Sequence, residues 1–228
     1  MKKALSFFVI AGMLSCALIG LNSCSSQPKS AEQIRKETKK LSTAELNAKA
    51  TKAASSEAKK LKKEGWTTTP GTLPIDRQLD KSYLMQYEYD NNGFPKYIMG
   101  EAMSIGENYD AAKMQALELS KQNLAGQIQT EVTALVENSV ANKQLSAGEA
   151  ASITSSVLAS KNLISQSLGR VLPVVEVYRE KSNKNKEVLV RVAYNHEMAV
   201  EAAKKAIRAD LEAKGEKLHD QLDKVLGF

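Results

Sequence analysis

Cys24 is the one thiol whose position gives its chemistry an evident use. It follows an apolar run, Ala4–Leu21, that Lys2 and Lys3 precede and that no acidic residue interrupts. A positive start followed by an apolar stretch is the layout of a secretory signal. A nucleophilic thiol at the end of such a signal can take up lipid. Other chemistry-bearing residues are sparse. The two histidines, His196 and His219, lie far apart, and neither sits in a Cys/His cluster with metal-ligand spacing. His196 falls at a helix start and His219 on a polar face. There is no G-x-S-x-G elbow, no G-x-G-x-x-G stretch and no P-loop. Glu101, Glu107 and Asp110 gather where a helix is expected to begin, and a helix N-terminus favours negative charge. Capping explains them before acid catalysis does. Four aromatic residues remain as a candidate interaction surface: Trp66, Tyr83, Tyr87 and Tyr89. No catalytic residue, metal or cofactor is expected.

Leu21-Asn22-Ser23-Cys24 resembles the bacterial lipobox, with a leucine three residues before the cysteine and a small residue just before it. The resemblance implies cleavage between Ser23 and Cys24 and lipidation of Cys24 as the first residue of the mature chain. Asn22 departs from the usual Ala, Ser or Thr. Cleavage before Cys16 would leave Ala17–Leu21 as apolar residues after the anchor, so Cys24 is the better choice. The alternative is an uncleaved membrane helix, since the run is about as long as the roughly 18 residues that span a bilayer. Removing residues 1–23 leaves 205, with Cys24 as the only cysteine. Once it is acylated no intramolecular disulfide can form, and the mature chain relies on its core.

Charge is distributed unevenly. The overall +6 comes from Lys29–Glu64, which holds 11 basic and 5 acidic residues, while Gly65–Phe228 carries −2. An exported chain with a non-basic folded part is a poor candidate for nucleic-acid binding. The sequence divides into a signal (1–23), a lipidated tether (24–30), a basic Ala/Lys-rich helix (31–64), a Pro/Gly/Thr loop (65–81) and a folded domain (82–228). The helical segment has few large apolar positions, Ile34, Leu41, Leu46 and Leu61, too few for a coiled coil. It is expected to be a solvated stalk of about 50 Å at 1.5 Å per residue, whose lysines can also attract anionic headgroups or peptidoglycan carboxylates. Trp66, Leu73, Ile75 and Leu79 are expected to strap the following loop to the domain.

Within the domain, Tyr83, Met85, Tyr87 and Tyr89 alternate with other residues, the period-two pattern of a strand. Asn92-Gly93 signals a hairpin, with a return strand over about Tyr97–Ser104. Asn108 or Asp110 is placed to cap a long helix whose face carries Leu117, Leu124, Ile128 and Leu135. Ser146 opens a second helical stretch through Leu168. Two strands follow, around Val171–Val177 and Val188–Tyr194, joined by the polar turn Glu180–Lys186. Asn195 caps a last helix that Gly215 is expected to kink. The order β-β-α-α-β-β-α lacks the alternation of parallel sheets. The expected fold is α+β: a small antiparallel sheet of about four strands with long helices on one face.

Three segments, Tyr97–Ala102, Asp110–Lys113 and Asn123-Leu124-Ala125-Gly126-Gln127-Ile128, resemble the core of the LPP-twenty lipoprotein family over roughly Tyr97–Ala213. The resemblance implies a secreted, membrane-attached, non-enzymatic domain. It also implies that Gly100 allows close backbone approach and that Leu124 and Ile128 are core. Some relatives are surface antigens or flagellar-apparatus components; the basic helix and the Trp66 loop depart from a flagellar pattern.

The expected function is therefore a membrane-anchored envelope lipoprotein, exported to the outer membrane and facing the periplasm, that serves as a structural or protein-interaction module. Its expected partner is another envelope protein or peptidoglycan. The alternative is a ligand-binding lipoprotein that takes a glycan, peptide or peptidoglycan fragment in a tyrosine-lined pocket.

Overall fold

The architecture comes from a computed structural model that describes residues 32, 33, 35, 36, 40, 49–90 and 93–226. Two compact units are distinguished, 1–48 and 49–228. In the first, Glu32, Gln33, Arg35, Lys36 and Lys40 are helical, and Glu32 pairs with Lys36 at 2.9 Å. Cys24, Ser23 and the apolar run before them lie outside the described residues.

The second unit begins with a break. Lys49–Thr51 is not helical, and Thr51 caps a new helix, α1 (Lys52–Lys63), by accepting from the Ala54 amide. A single solvated helix over 31–64 is therefore corrected. Ala54 and Ala58 are buried, and with Leu61 they form a stripe of mostly small side chains. Counting only large apolar residues conceals such a stripe. Gly65, at φ +87°, turns the chain out of α1, a conformation that favours glycine.

The expected loop over 65–81 is half as long. Helix α2 (Ile75–Gln86) starts directly after Pro74, which occupies its N-cap. A proline blocks a helix interior but not a helix start. Ile75, Leu79 and Tyr83, four residues apart, lie on one face of α2 and pack in the same core. The strand expected over Tyr83–Tyr89 is thus a helix as far as Gln86. Only Tyr89 makes a single bridge, to Pro95.

Three strands form the sheet among the described residues: β1 (Tyr97–Gly106), β2 (Leu172–Glu180) and β3 (Lys186–Asn195), all antiparallel in the order β1-β3-β2. The sheet has three strands rather than four because the first predicted strand is α2. The long helix α3 (Tyr109–Ala141) crosses its inner face. Asn108 caps α3 through the Ala111 amide, and the helix backbone lies close against β1 at Gly100. A Cβ at Gly100 would lie 2.3 Å from the Ser120 carbonyl oxygen. Ser146 and Glu149 form a capping box that opens α4 (Ala147–Ala159). A short α5 (Lys161–Ser167) follows. Asn195 caps α6 (His196–Ala213), and Gly215, at φ +73°, ends that helix instead of kinking it. A separate α7 (His219–Leu226) completes the chain.

Two cores result. The larger joins Leu124, Ile128, Val132 and Ile153 to Val188, Val190 and Val192 on the inner sheet face and to Ile207, Leu211 and Leu222. The smaller joins Ala54, Ala58, Trp66, Ile75 and Leu79 to Val175 and Val177 on the outer face. Helices therefore cover both sides of the sheet. The expectation of one covered face is corrected, because α1 and α2 belong to the folded unit.

Strand edges are exposed liabilities in open sheets, and here each edge is covered in part by hydrogen bonds from outside the sheet. On β2, Thr67 exchanges two backbone hydrogen bonds with Tyr178, at 2.8 and 2.9 Å, and the Glu176 amide donates to the Gln78 side chain at 2.6 Å. On β1, Asn123 and Gln127 of α3 donate to the carbonyls of Glu101 and Met99, both at 2.7 Å.

Candidate functional site

The chain between α2 and β1 is a tight loop with three large side chains turned out of it. The Asp90 amide donates to the Phe94 carbonyl and the Phe94 amide to the Asp90 carboxylate, both at 2.8 Å. Lys96 closes the base: its amide donates to the Glu88 carbonyl at 2.8 Å and its ammonium pairs with the Glu88 carboxylate at 2.5 Å. That pairing raises the Lys96 pKa. Gly93, at φ +82°, makes the turn; its neighbour Asn92 lies outside the described residues. With the backbone held this way, Tyr87 is 67% exposed, Tyr89 56% and Phe94 62%.

Beside the loop is a groove of about 610 Å³. Phe94, Pro95 and Tyr97 line it from the loop and β1, and Thr130, Glu131 and Ala134 from α3. His196, the first residue of α6, faces it as well, with Nε2 2.7 Å from Glu131 Oε1. The arrangement offers apolar contact with a few hydrogen-bonding groups. The Thr130 hydroxyl in the groove donates to the Gly126 carbonyl at 2.9 Å and not to the imidazole, so the His196–Glu131 pair holds no activated nucleophile of the kind an acyl-transfer site needs. Among the described residues no group of three or more His, Cys, Asp or Glu side chains lies close enough to hold a metal ion.

A second polar cluster lies on the inner sheet face. Glu176 accepts from Lys113 at 2.8 Å and from the Tyr109 hydroxyl. The Tyr109 and Tyr178 rings meet edge to face, with centroids 5.2 Å apart. Burial, then the Glu176 carboxylate, push the Tyr109 hydroxyl above its usual range, and the Glu176 hydrogen bond raises Lys113. Each polar group in this cluster already has a partner, and it fastens α3 to β2. The acidic group expected at the helix start also divides. Glu101 pairs with Arg191 at 2.6 Å, Asp110 sits in the first turn of α3, and the capping residue is Asn108.

The four predicted aromatic residues do not form one surface. Trp66 is only 4% exposed, and the Arg179 guanidinium stacks on it at 4.6 Å from the ring centroid. Tyr83 is half-buried in the smaller core and donates to Glu57. Tyr87 and Tyr89 are exposed, and they are joined by Phe94, which sequence reasoning missed. Its position between Gly93 and Pro95, in a turn that must be solvated, was the available signal. The His196–Glu131 pair has no such signal, because 65 residues separate its members.

Compared with models of known protein families, with curated proteins and with solved structures, the chain matches none. Among the described residues no helix is long and apolar enough to cross a membrane.

Proposed function

We propose that this chain is a lipid-anchored lipoprotein of the cell envelope whose folded unit binds a protein partner and catalyses no reaction. The observation that carries the reading is the loop at Tyr87–Lys96. Three large aromatic side chains carried by a hydrogen-bonded loop leave more than half of their surface in solvent and join neither core. Aromatic residues of this kind are common anchors at protein interfaces, and the adjoining groove gives a partner side chain a place to insert.

Anchoring through Cys24 rests on the Leu21–Cys24 motif and the preceding apolar run. The outer membrane, with the domain facing the periplasm, is the favoured destination, since no aspartate follows Cys24. Kinship with LPP-twenty lipoproteins is part of the same proposal and is supported by the segments between Tyr97 and Ile128.

Two measurements test the reading. Cys24→Ala should move the protein out of the detergent phase on phase partitioning; unchanged partitioning would overturn the anchor. A photocrosslinker at Tyr87 should capture one reproducible envelope protein in cells, while one at Lys52 should not. Peptidoglycan captured from Lys52, with nothing captured at Tyr87, would overturn the interaction face.

A further inference from the structure

Protection of the β1 edge is incomplete. Met99 and Glu101 turn their carbonyls to that edge, where Gln127 and Asn123 cap them. Edge-facing residues alternate along a strand, so the main-chain groups of Met103 and Ile105 also face outwards there. The next position in the capping row, four residues before Asn123, is Leu119, which has no donor to offer. Gln115, one turn earlier, instead accepts from the Ser104 hydroxyl. The row of side chains that caps β1 therefore has a gap opposite Met103–Ile105. In the same stretch Met103 is 53% exposed and Ile105 50%. They lie on the outer sheet face, beyond the cover of the smaller core.

We propose that Met103–Ile105 is a strand-addition site for a short extended peptide of another chain, with apolar residues at alternate positions and basic residues flanking them. Main-chain pairing supplies the affinity in such additions and alternate side chains the choice of sequence. In an antiparallel addition, residues opposite Met103 and Ile105 share their face, and the next such positions outward lie opposite Glu101 and Glu107. Both glutamates are exposed. Opposite charges across a strand pair stabilise it and like charges destabilise it; Glu101 already shares its carboxylate with Arg191, so the preference for lysine or arginine is strongest at the end opposite Glu107 and weaker at the other. The same charges disfavour one register of pairing with a second copy of this chain: setting Met103 against Ile105 of that copy sets Glu101 against its Glu107. This surface lies at the far end of β1 from the aromatic loop and needs neither that loop nor the lipid anchor.

The probe is the capped heptapeptide Lys-Thr-Val-Thr-Val-Thr-Lys, added at millimolar concentration to the full chain in detergent, with amide hydrogen exchange as the readout. Protection of the Met103 and Ile105 amides is expected to rise by about tenfold or more. The same peptide N-methylated at both valines should give no such rise. Leu119→Gln, which completes the capping row, should abolish the effect, whereas Leu119→Ala should preserve it and so exclude loss of packing as the cause. Unchanged protection with the unmethylated peptide, equal protection by the methylated one, or protection that depends on protein concentration without any peptide would each overturn the proposal. The last result would identify a second copy as the occupant.

Discussion

The Trp66 ring lies beneath the Arg179 guanidinium, 4.6 Å from centroid to carbon, and the Thr67 backbone pairs with Tyr178 one residue further on. Together these contacts hold the chain between α1 and α2 against the open edge of β2. The structure therefore closes that edge with a segment drawn from outside the sheet.

Trp66 is the only tryptophan, so its emission reports this closure directly. It should be blue-shifted and poorly quenched by acrylamide in the native protein. Trp66→Ala should cost about 3–5 kcal/mol in urea unfolding. A cost near that of an ordinary surface change, about 0.5 kcal/mol, would mean that the loop does not dock.

Gly100→Ala should destabilise the protein by about 1–3 kcal/mol, as overpacking does. The added methyl meets the Ser120 backbone carbonyl, which cannot rotate away. Thermal unfolding would show the loss as a midpoint several degrees lower.

Leu124 is fully buried against the inner sheet face. Truncation to alanine should cost about 2–5 kcal/mol, measured by denaturant unfolding. Phe94→Ala should leave stability within about 0.5 kcal/mol of the parent. A large loss for Phe94→Ala would make the loop part of the fold and not a docking surface.

Acid stability should depend on Asp223. Its carboxylate is held by Lys204 at 3.0 Å and Arg208 at 2.6 Å, joining α6 to α7. The Lys204 hydrogen bond first, then Arg208, lower its pKa below the ordinary 3.8 despite some opposition from burial. A group whose pKa is depressed by folding binds fewer protons in the native state, so its contribution is full above 3.8 and fades as pH falls through the native value. Asp223→Asn should therefore be less stable than the parent at neutral pH, with the gap closing in strong acid. A gap that is constant with pH would show that the pairing is not the cause.

Much of this fold is legible from short-range signals. Asn108, Ser146 and Asn195 cap the helices they were expected to cap, and Leu124, Ile128, Val132 and Val136 line the buried side of α3. Val188, Val190, Val192 and Tyr194 recur at every second position of β3 because they all face the larger core. The failures also have local causes. Tyr83–Tyr89 alternates like a strand, but the decisive pattern, Ile75–Leu79–Tyr83, crosses a boundary set by reading Pro74 as a breaker. Ala54 and Ala58 pack α1 closely onto its neighbours, yet they look like unremarkable propensity residues. At the candidate site the sequence marked Tyr87 and Tyr89 but could not separate them from Trp66 and Tyr83, because exposure depends on which helix face meets the sheet.

The junction at Thr51 has a mechanical consequence. The Thr51 amide donates to Asp80 at 3.0 Å, and Asp80 is held in turn by Arg77 at 3.2 Å. Any pull along the chain from its N-terminal side enters the folded unit at this point, before it reaches a strand. Tension there would load the α1–α2 contact first, where the small side chains of Ala54 and Ala58, Leu61, the Tyr83–Glu57 hydrogen bond and the Asp80 carboxylate resist it. The sheet and the larger core lie behind that first failure, so under load the smaller core would yield while the rest of the fold keeps its shape.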